Sequence, residues 1–300
     1  MLRGRTKTRS PGKRISGAFG WSPSGWRGNP SSLRLPSEVR PVDVRSHNRT
    51  AWDKKVTESC RWSVPVSETD IERARAGDFS IVLTPTEPVP ATWFPPLTDT
   101  PTLCLAAAGG QQAPILAAAG ASVTVFDNSP GQLEQDRFVA SRDGLQMEYV
   151  EGDMRDLTQF ADGSFQLIFH PCSNTFVPEV VPVWKECFRV LQPGGTLLSG
   201  FTNPLRYLFD DERKENGSLE VRYRIPYSDL DYLDEEHIQR EIQAGRPLEF
   251  GHSLQDQIGG QLSAGFLLSG FYEDRFSARD EDPISRYIDT FIATRAVKPD

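Results

Sequence analysis

Residues 102–127, TLCLAAAGGQQAPILAAAGASVTVFD, admit few folds. An apolar run at 102–105 leads into residues 106–110, where no side chain is larger than a methyl group. The alanine-rich stretch 112–119 suits a helix, and Gly120 stops it as a C-terminal glycine does. β-Branched and aromatic residues at 122–126 read as a second strand, with Asp127 at its carboxyl end. Strand, tight turn, helix, strand is the opening unit of a nucleotide-binding α/β sheet. Small residues in the turn let a ligand approach the backbone, and the helix N-terminus offers unpaired N–H groups. An acid 17 residues after Gly110 is placed to accept the two hydroxyls of a ribose.

The following residues continue the alternation. Ser129 reads as an N-cap, Pro130 as the first helical residue and Gln132 as the partner of a capping box. Leu133, Phe138 and Val139 supply the apolar face, and Gly144 ends the helix. A third strand is expected at 147–150, before Gly152-Asp153-Met154. A fourth strand, at 165–169, runs into His170. A helix at 182–191 and the turn Pro193-Gly194-Gly195 lead to a fifth strand at 196–201. Upstream, 47–56 reads as a short helix with Trp52 packed on the body. Ser67 and Asp70 form a helix-start box, 80–83 a short strand, and the proline-rich 84–101 a loop. Near the C-terminus, Ser253 reads as the cap of a helix carrying Leu254, Ile258 and Leu262, which ends at Gly265-Phe266.

Charge is unevenly spread. Residues 1–45 hold ten Lys/Arg against two Asp/Glu, so most of the chain carries well over the overall net charge of −8. An acidic body argues against a nucleic-acid groove. No apolar run approaches the roughly 18 residues a membrane span needs, so no membrane partner is expected. Cys60, Cys104, Cys172 and Cys187 are scattered, without CxxC pairs or metal-ligand spacing, which predicts no metal and a reduced, cytoplasmic protein. The basic, Gly/Pro/Ser-containing segment 1–45 lacks apolar periodicity and reads as a disordered extension. An organelle transit peptide, a basic arm for an anionic partner and an over-long start are its other readings. Residues 46–300 are then one domain: a lead-in at 46–101, a cofactor-binding core at 102–202, a substrate-side insertion at 203–251, and a C-terminal helix and strands at 252–300.

Four stretches match one family in order and spacing: the 105–110 turn with Asp127, the Gly152-Asp153 pair, the strand into His170, and Leu191-Gln192-Pro193-Gly194-Gly195 before a strand. Together they resemble the class I S-adenosylmethionine-dependent methyltransferases. The resemblance implies a Rossmann-like, doubly wound, mostly parallel seven-stranded sheet with helices on both faces and an antiparallel C-terminal strand. It implies S-adenosylmethionine as cofactor, with a site built from Ala106, Ala107, Ala108, Gly109, Gly110, Gln112, Asp127, Asn128, Gly152, Asp153, Met154 and His170. Asp127 would hold the ribose, Asp153 the adenine amino group, and Met154 would lie beside the ring. The chain departs from the family in the turn: Cys104 stands where an acid is usual, and Ala106 and Ala108 where two of three glycines are. Alanine is comfortable only at negative φ, and its methyl pushes the closest approach of a ligand outward.

A nicotinamide-dependent oxidoreductase is the rival on the same fold, but its G-x-G-x-x-G spacing falls on Ala106, Ala108 and Gln111. A catalytically silent cofactor-binding regulatory protein is the other alternative. If a base is used, His170 and His252 are the candidates. Each can instead be a structural histidine, and His170 can act through its backbone carbonyl to position the cofactor. The acceptor is expected to be a small molecule, met by the aromatics Tyr207, Phe209, Tyr223, Tyr227 and Tyr232 of 203–251. Oligomeric state is left open.

Overall fold

A computed structural model describes residues 42–210, 213–214, 216–277 and 282–300. The extension expected at 1–45 lies outside them apart from its last four residues. The first helix, α1 (Val44–Thr57), begins three residues before the expected start at His47. Asp43 caps it by accepting from the Ser46 N–H, and Lys54 and Lys55 lie in its last turn, where cations favour the helix dipole. The second helix, α2 (Glu68–Arg75), starts with the expected box, Ser67 and Asp70 bonding reciprocally.

The sheet strands are β1 (Pro101–Leu105), β2 (Ser122–Asp127), β3 (Met147–Glu151), β4 (Phe165–His170), β5 (Leu191–Thr202), β8 (Leu267–Asp274) and β9 (Phe291–Val297); β6 (Tyr227–Ser228) and β7 (Phe250–Gly251) form a separate pair. The order β3-β2-β1-β4-β5-β9-β8 is doubly wound, and β9 alone runs against its neighbours. The chain reverses direction across the sheet between β1 and β4, where open α/β sheets place their ligand crevice. Three helices connect the strands: α3 (Gln112–Ala118), α4 (Pro130–Asp143) and α5 (Val181–Val190).

Alternation along the strands sorts side chains between two cores. Cys104, Val123, Val125, Leu167 and Phe169 pack with α2, α3 and α4 residues such as Ile71, Leu116 and Leu133. Leu103, Leu105 and Ile168 pack on the other face with Val183, Trp184 and Val190 of α5. The loop before β1 is held against the sheet: the Leu83 carbonyl accepts from the Cys172 N–H at 3.0 Å. A Cβ at Gly200 of β5 would lie 2.2 Å from that same oxygen, so only glycine allows this approach.

Several local expectations are corrected. Residues 80–83 form no strand; Val82 makes a single bridge to Pro88. Ser129 caps α4 through the Gln132 N–H, but the Gln132 side chain donates to Ser63 Oγ at 2.6 Å instead of closing a box. Phe138 is exposed. The helix expected after Ser253 opens with a π-turn, Gln255–Gly259, and continues as Gly260–Ala264. Its inward face carries Gln257, Gly260 and Gln261, whereas Leu254 and Leu262 face outward. Two interactions turn it this way. Gln257 and Asn174 exchange side-chain amide bonds at 3.0 and 3.1 Å. Gly260 lies so close to Trp184 that a Cβ would meet its ring at 2.7 Å.

Candidate active site

A cavity of about 290 Å³ opens at the carboxyl ends of β1, β2, β4 and β5. Its floor on one side is the turn after β1. Ala106, Ala107, Ala108, Gln111 and Gln112 line it. Ala106 takes φ = +47°, the left-handed region, and its N–H donates to the Phe126 carbonyl at 2.7 Å. An alanine held there costs roughly 1–2 kcal/mol. Gly109 and Gly110 also take positive φ but do not line the cavity. They face α4 and the 62–65 loop, and Gly109 N–H donates to Asp136 Oδ2 at 2.9 Å.

Asp136, which the sequence does not single out, does not line the cavity but holds the glycine part of the turn from behind. It is fully buried on α4, and burial raises its pKa to about 8 despite N–H bonds from Gly109 and Gly110. Its Oδ1 and the Gln132 Oε1 one turn earlier on the helix are both buried without a hydrogen-bond partner. Two acceptors on one helix face suit a proton retained on the carboxyl. The signal in the sequence was an acid on the buried stripe of α4, among Gln132, Leu133, Val139 and Ala140.

Asp127 stands at the end of β2 and lines the cavity. Its Oδ1 accepts from the Ser129 N–H at 2.9 Å, while Oδ2 has only a long contact, 3.4 Å, from the Ala108 N–H. Burial raises its pKa to about 6 against these bonds. Asn128, Gly152, Asp153 and Met154 line the same end. Burial pushes the Asp153 carboxyl up, but the Arg155 guanidinium and N–H outweigh it and the net direction is down. The Arg155–Asp153 pair closes at 2.6 Å. α1 completes this end: Arg45 Nε donates to Asn128 Oδ1 at 3.1 Å, and Asp53 accepts from Ser129 Oγ and the Gly131 N–H. Trp52 of α1 lines the cavity edge-on to Phe176.

Neither histidine reaches the cavity. Alternation along β4 sends His170 to the α5 side with Ile168, where its ring meets Trp184 edge-on. Burial lowers its pKa to about 4, so the ring is neutral and Nδ1–H donates to the Leu105 carbonyl at 2.8 Å. His252 is buried and its pKa is likewise lowered by burial; its Nε2–H donates to the Asn174 carbonyl at 3.0 Å. Both rings bond to backbone carbonyls and face away from the cavity in which either candidate base would have to stand. The titratable groups that do line the far side of the cavity are Cys172, Arg206, Tyr207 and Glu249. Of the expected aromatics, Tyr207 alone lines it; Tyr227 stacks on Tyr207 and Tyr232, and Tyr223 packs beside them.

A doubly wound sheet with an acid-lined cavity at its switch point and an antiparallel ninth strand defines the class, and sequence comparison supports it. Residues 103–199 match a methyltransferase domain family. Over 253 residues the chain is 50% identical to the uncharacterized methyltransferase YbaJ of Bacillus subtilis (strain 168), covering 84% of this chain and 98% of that one. A sterol 24-C-methyltransferase of Gibberella zeae is 34% identical over 89 residues, 29% of this chain and 23% of that protein. The crystal structure of an S-adenosylmethionine dependent methyltransferase from Mesorhizobium loti superposes with a TM-score of 0.54 at 16% identity, covering 69% of this chain and 94% of that chain. The chain belongs to the class I S-adenosylmethionine-dependent methyltransferases.

Proposed function

We propose that this protein transfers a methyl group from S-adenosylmethionine to a small-molecule acceptor held on the β4–β5 side of the cavity. One observation carries the reading: a single continuous cavity runs from the Asp127 carboxylate after β2 to Tyr207 and Glu249 beyond β5. The residues fit the cofactor. Asp127 Oδ2 has hydrogen-bonding capacity left for ribose hydroxyls, the 106–108 backbone can lie along the methionine end, and Met154 and Val177 offer apolar walls to the adenine beside Asp153. The cofactor supplies a methyl already activated on a sulfonium, which leaves orientation, exclusion of water and proton removal to the protein.

An acceptor with an O–H or N–H nucleophile needs somewhere to put its proton. Tyr207 Oη donates to Glu249 Oε2 at 2.8 Å and is hydrogen-bonded to Thr175 Oγ1. Thr175 has a second acceptor, the Phe250 carbonyl at 3.2 Å. When Thr175 turns to that carbonyl, the Tyr207 oxygen can take the acceptor's proton while its own passes to the Glu249 carboxylate. Burial, reinforced by Glu249, raises the Tyr207 pKa, so the resting phenol is protonated and ready to relay. The 203–251 segment is on this reading the acceptor-side part of one domain. No described helix is long and apolar enough to cross a membrane. Four free cysteines support a reducing, cytoplasmic setting, and the acidic body supports a partner other than nucleic acid.

The test is methyl incorporation from labelled S-adenosylmethionine into a fractionated metabolite extract. Tyr207→Phe and Glu249→Gln are each expected to lower turnover about 100-fold, the usual scale for losing acid–base help, with S-adenosylhomocysteine affinity unchanged. Full turnover in both variants would remove the pair from the mechanism.

A further inference from the structure

Arg206 follows β5 in the turn Pro204–Leu208, on the side of β4 away from Asp127. Its backbone is fixed: the Asn203 side chain accepts from the Leu205 N–H and donates to the Asp289 carbonyl, and Asn203 N–H donates to the Thr290 carbonyl. Arg206 lines the cavity with only 19% of its side chain exposed. Phe276 and Phe291 cover it, their ring centroids 5.0 and 5.6 Å from the guanidinium carbon. Its ionic contact is Asp282, whose Oδ2 lies 3.2 Å from Nη1 but already accepts from the Ser285 N–H and Oγ. Nη1 is fully buried and makes no hydrogen bond among the described residues. The other cavity arginines differ: Arg155 is bonded to Asp153, and Arg45 to Asn128.

Asp282 balances the charge, but a guanidinium largely removed from water without hydrogen-bond acceptors is costly unless a ligand supplies them. Its five donors suit anionic oxygens in a bidentate pair, and the flanking rings hold the plane in place. Resting on the methyltransfer reading, we propose that Arg206 is the specificity anchor of the acceptor site and that the acceptor carries an anionic oxygen group, a carboxylate or a phosphate, joined to an apolar body. The apolar body lies against Phe276, Phe291 and Phe176, which line the same space. The anionic end points away from the ribose acid Asp127, and the nucleophile lies between the two.

Protein saturated with S-adenosylhomocysteine is titrated in a calorimeter with benzoate, phenyl phosphate and benzylamine. The wild type is expected to bind at least one anion and to prefer it to benzylamine at least tenfold; the two anions distinguish carboxylate from phosphate recognition. Arg206→Gln should weaken that anion at least tenfold, Arg206→Lys less, and both should keep S-adenosylhomocysteine affinity within about twofold. Equal anion affinity in wild type and Arg206→Gln overturns the proposal, as does absence of anion binding or preference for benzylamine. If Arg206→Gln does not fold, Arg206→Lys and the wild-type preference decide. Failure of S-adenosylhomocysteine itself to bind would instead sink the methyltransfer reading.

Discussion

Asp136 keeps a proton that a surface aspartate loses. Its pKa is raised to about 8 from the ordinary 3.8 because its carboxyl is buried. The sign of its effect on stability follows. The contribution is complete below pH 3.8, where folded and unfolded chains are both protonated, and is lost as the pH rises through about 8. Asp136→Asn supplies an N–H in place of the O–H, so it should fold and show a flatter stability profile between about pH 4 and 8 in chemical denaturation. Asp136→Ala leaves the Gly109 N–H unpaired and should cost about 1–3 kcal/mol. A wild-type profile that is already flat would show Asp136 to be ionised. Asp127 is legible in the sequence because a strand end announces it. Asp136 is not, because a helix position acquires its meaning from what the helix covers, here a glycine turn 27 residues away.

Elements were legible where their signals are local. The β1–α3–β2 unit, the Ser67–Asp70 box, the Ser129 cap and the left-handed Gly144 all depend on neighbours within a few residues. The helix after Ser253 is legible but its buried face is not, because that face is chosen by Asn174 and Trp184 from distant parts of the chain. The same distance hid α1 as part of the site. Asn48 in its second turn is buried, donates to the Phe176 and Leu248 carbonyls and accepts from the Leu248 N–H. It joins α1 to the wall after β4 and to the 203–251 segment. Asn48→Ala should cost about 2 kcal/mol or more, since several buried groups lose partners at once. Thermal melting that is unchanged in this variant would show α1 to be a loose attachment.

At the scale of the molecule, the order β3-β2-β1-β4-β5-β9-β8 separates two tasks. β1 to β3 and α1 present the Asp127–Asp153 end, and the chain beyond β4 and β5 presents Arg206, Tyr207 and Glu249. The sheet is what the family resemblance of four short stretches implies, and those stretches fall where β1, β2, β3 and β4 end and where β5 begins. The Tyr207–Glu249 end of the cavity is not legible in this way, because Tyr207 meets Glu249 across 42 residues and Arg206 meets Phe291 across a longer gap. On the proposed function, this cavity binds S-adenosylmethionine through Asp127. Titration calorimetry of S-adenosylmethionine into the wild type and Asp127→Ala tests it most directly. Charge-assisted hydrogen bonds contribute about 1.5–3 kcal/mol each, so the wild type should bind at one site and the variant at least roughly tenfold more weakly. Wild-type affinity should also fall as the pH drops below about 6, where Asp127 takes up a proton. Unchanged affinity in a folded Asp127→Ala variant, or no binding to the wild type, would contradict the account.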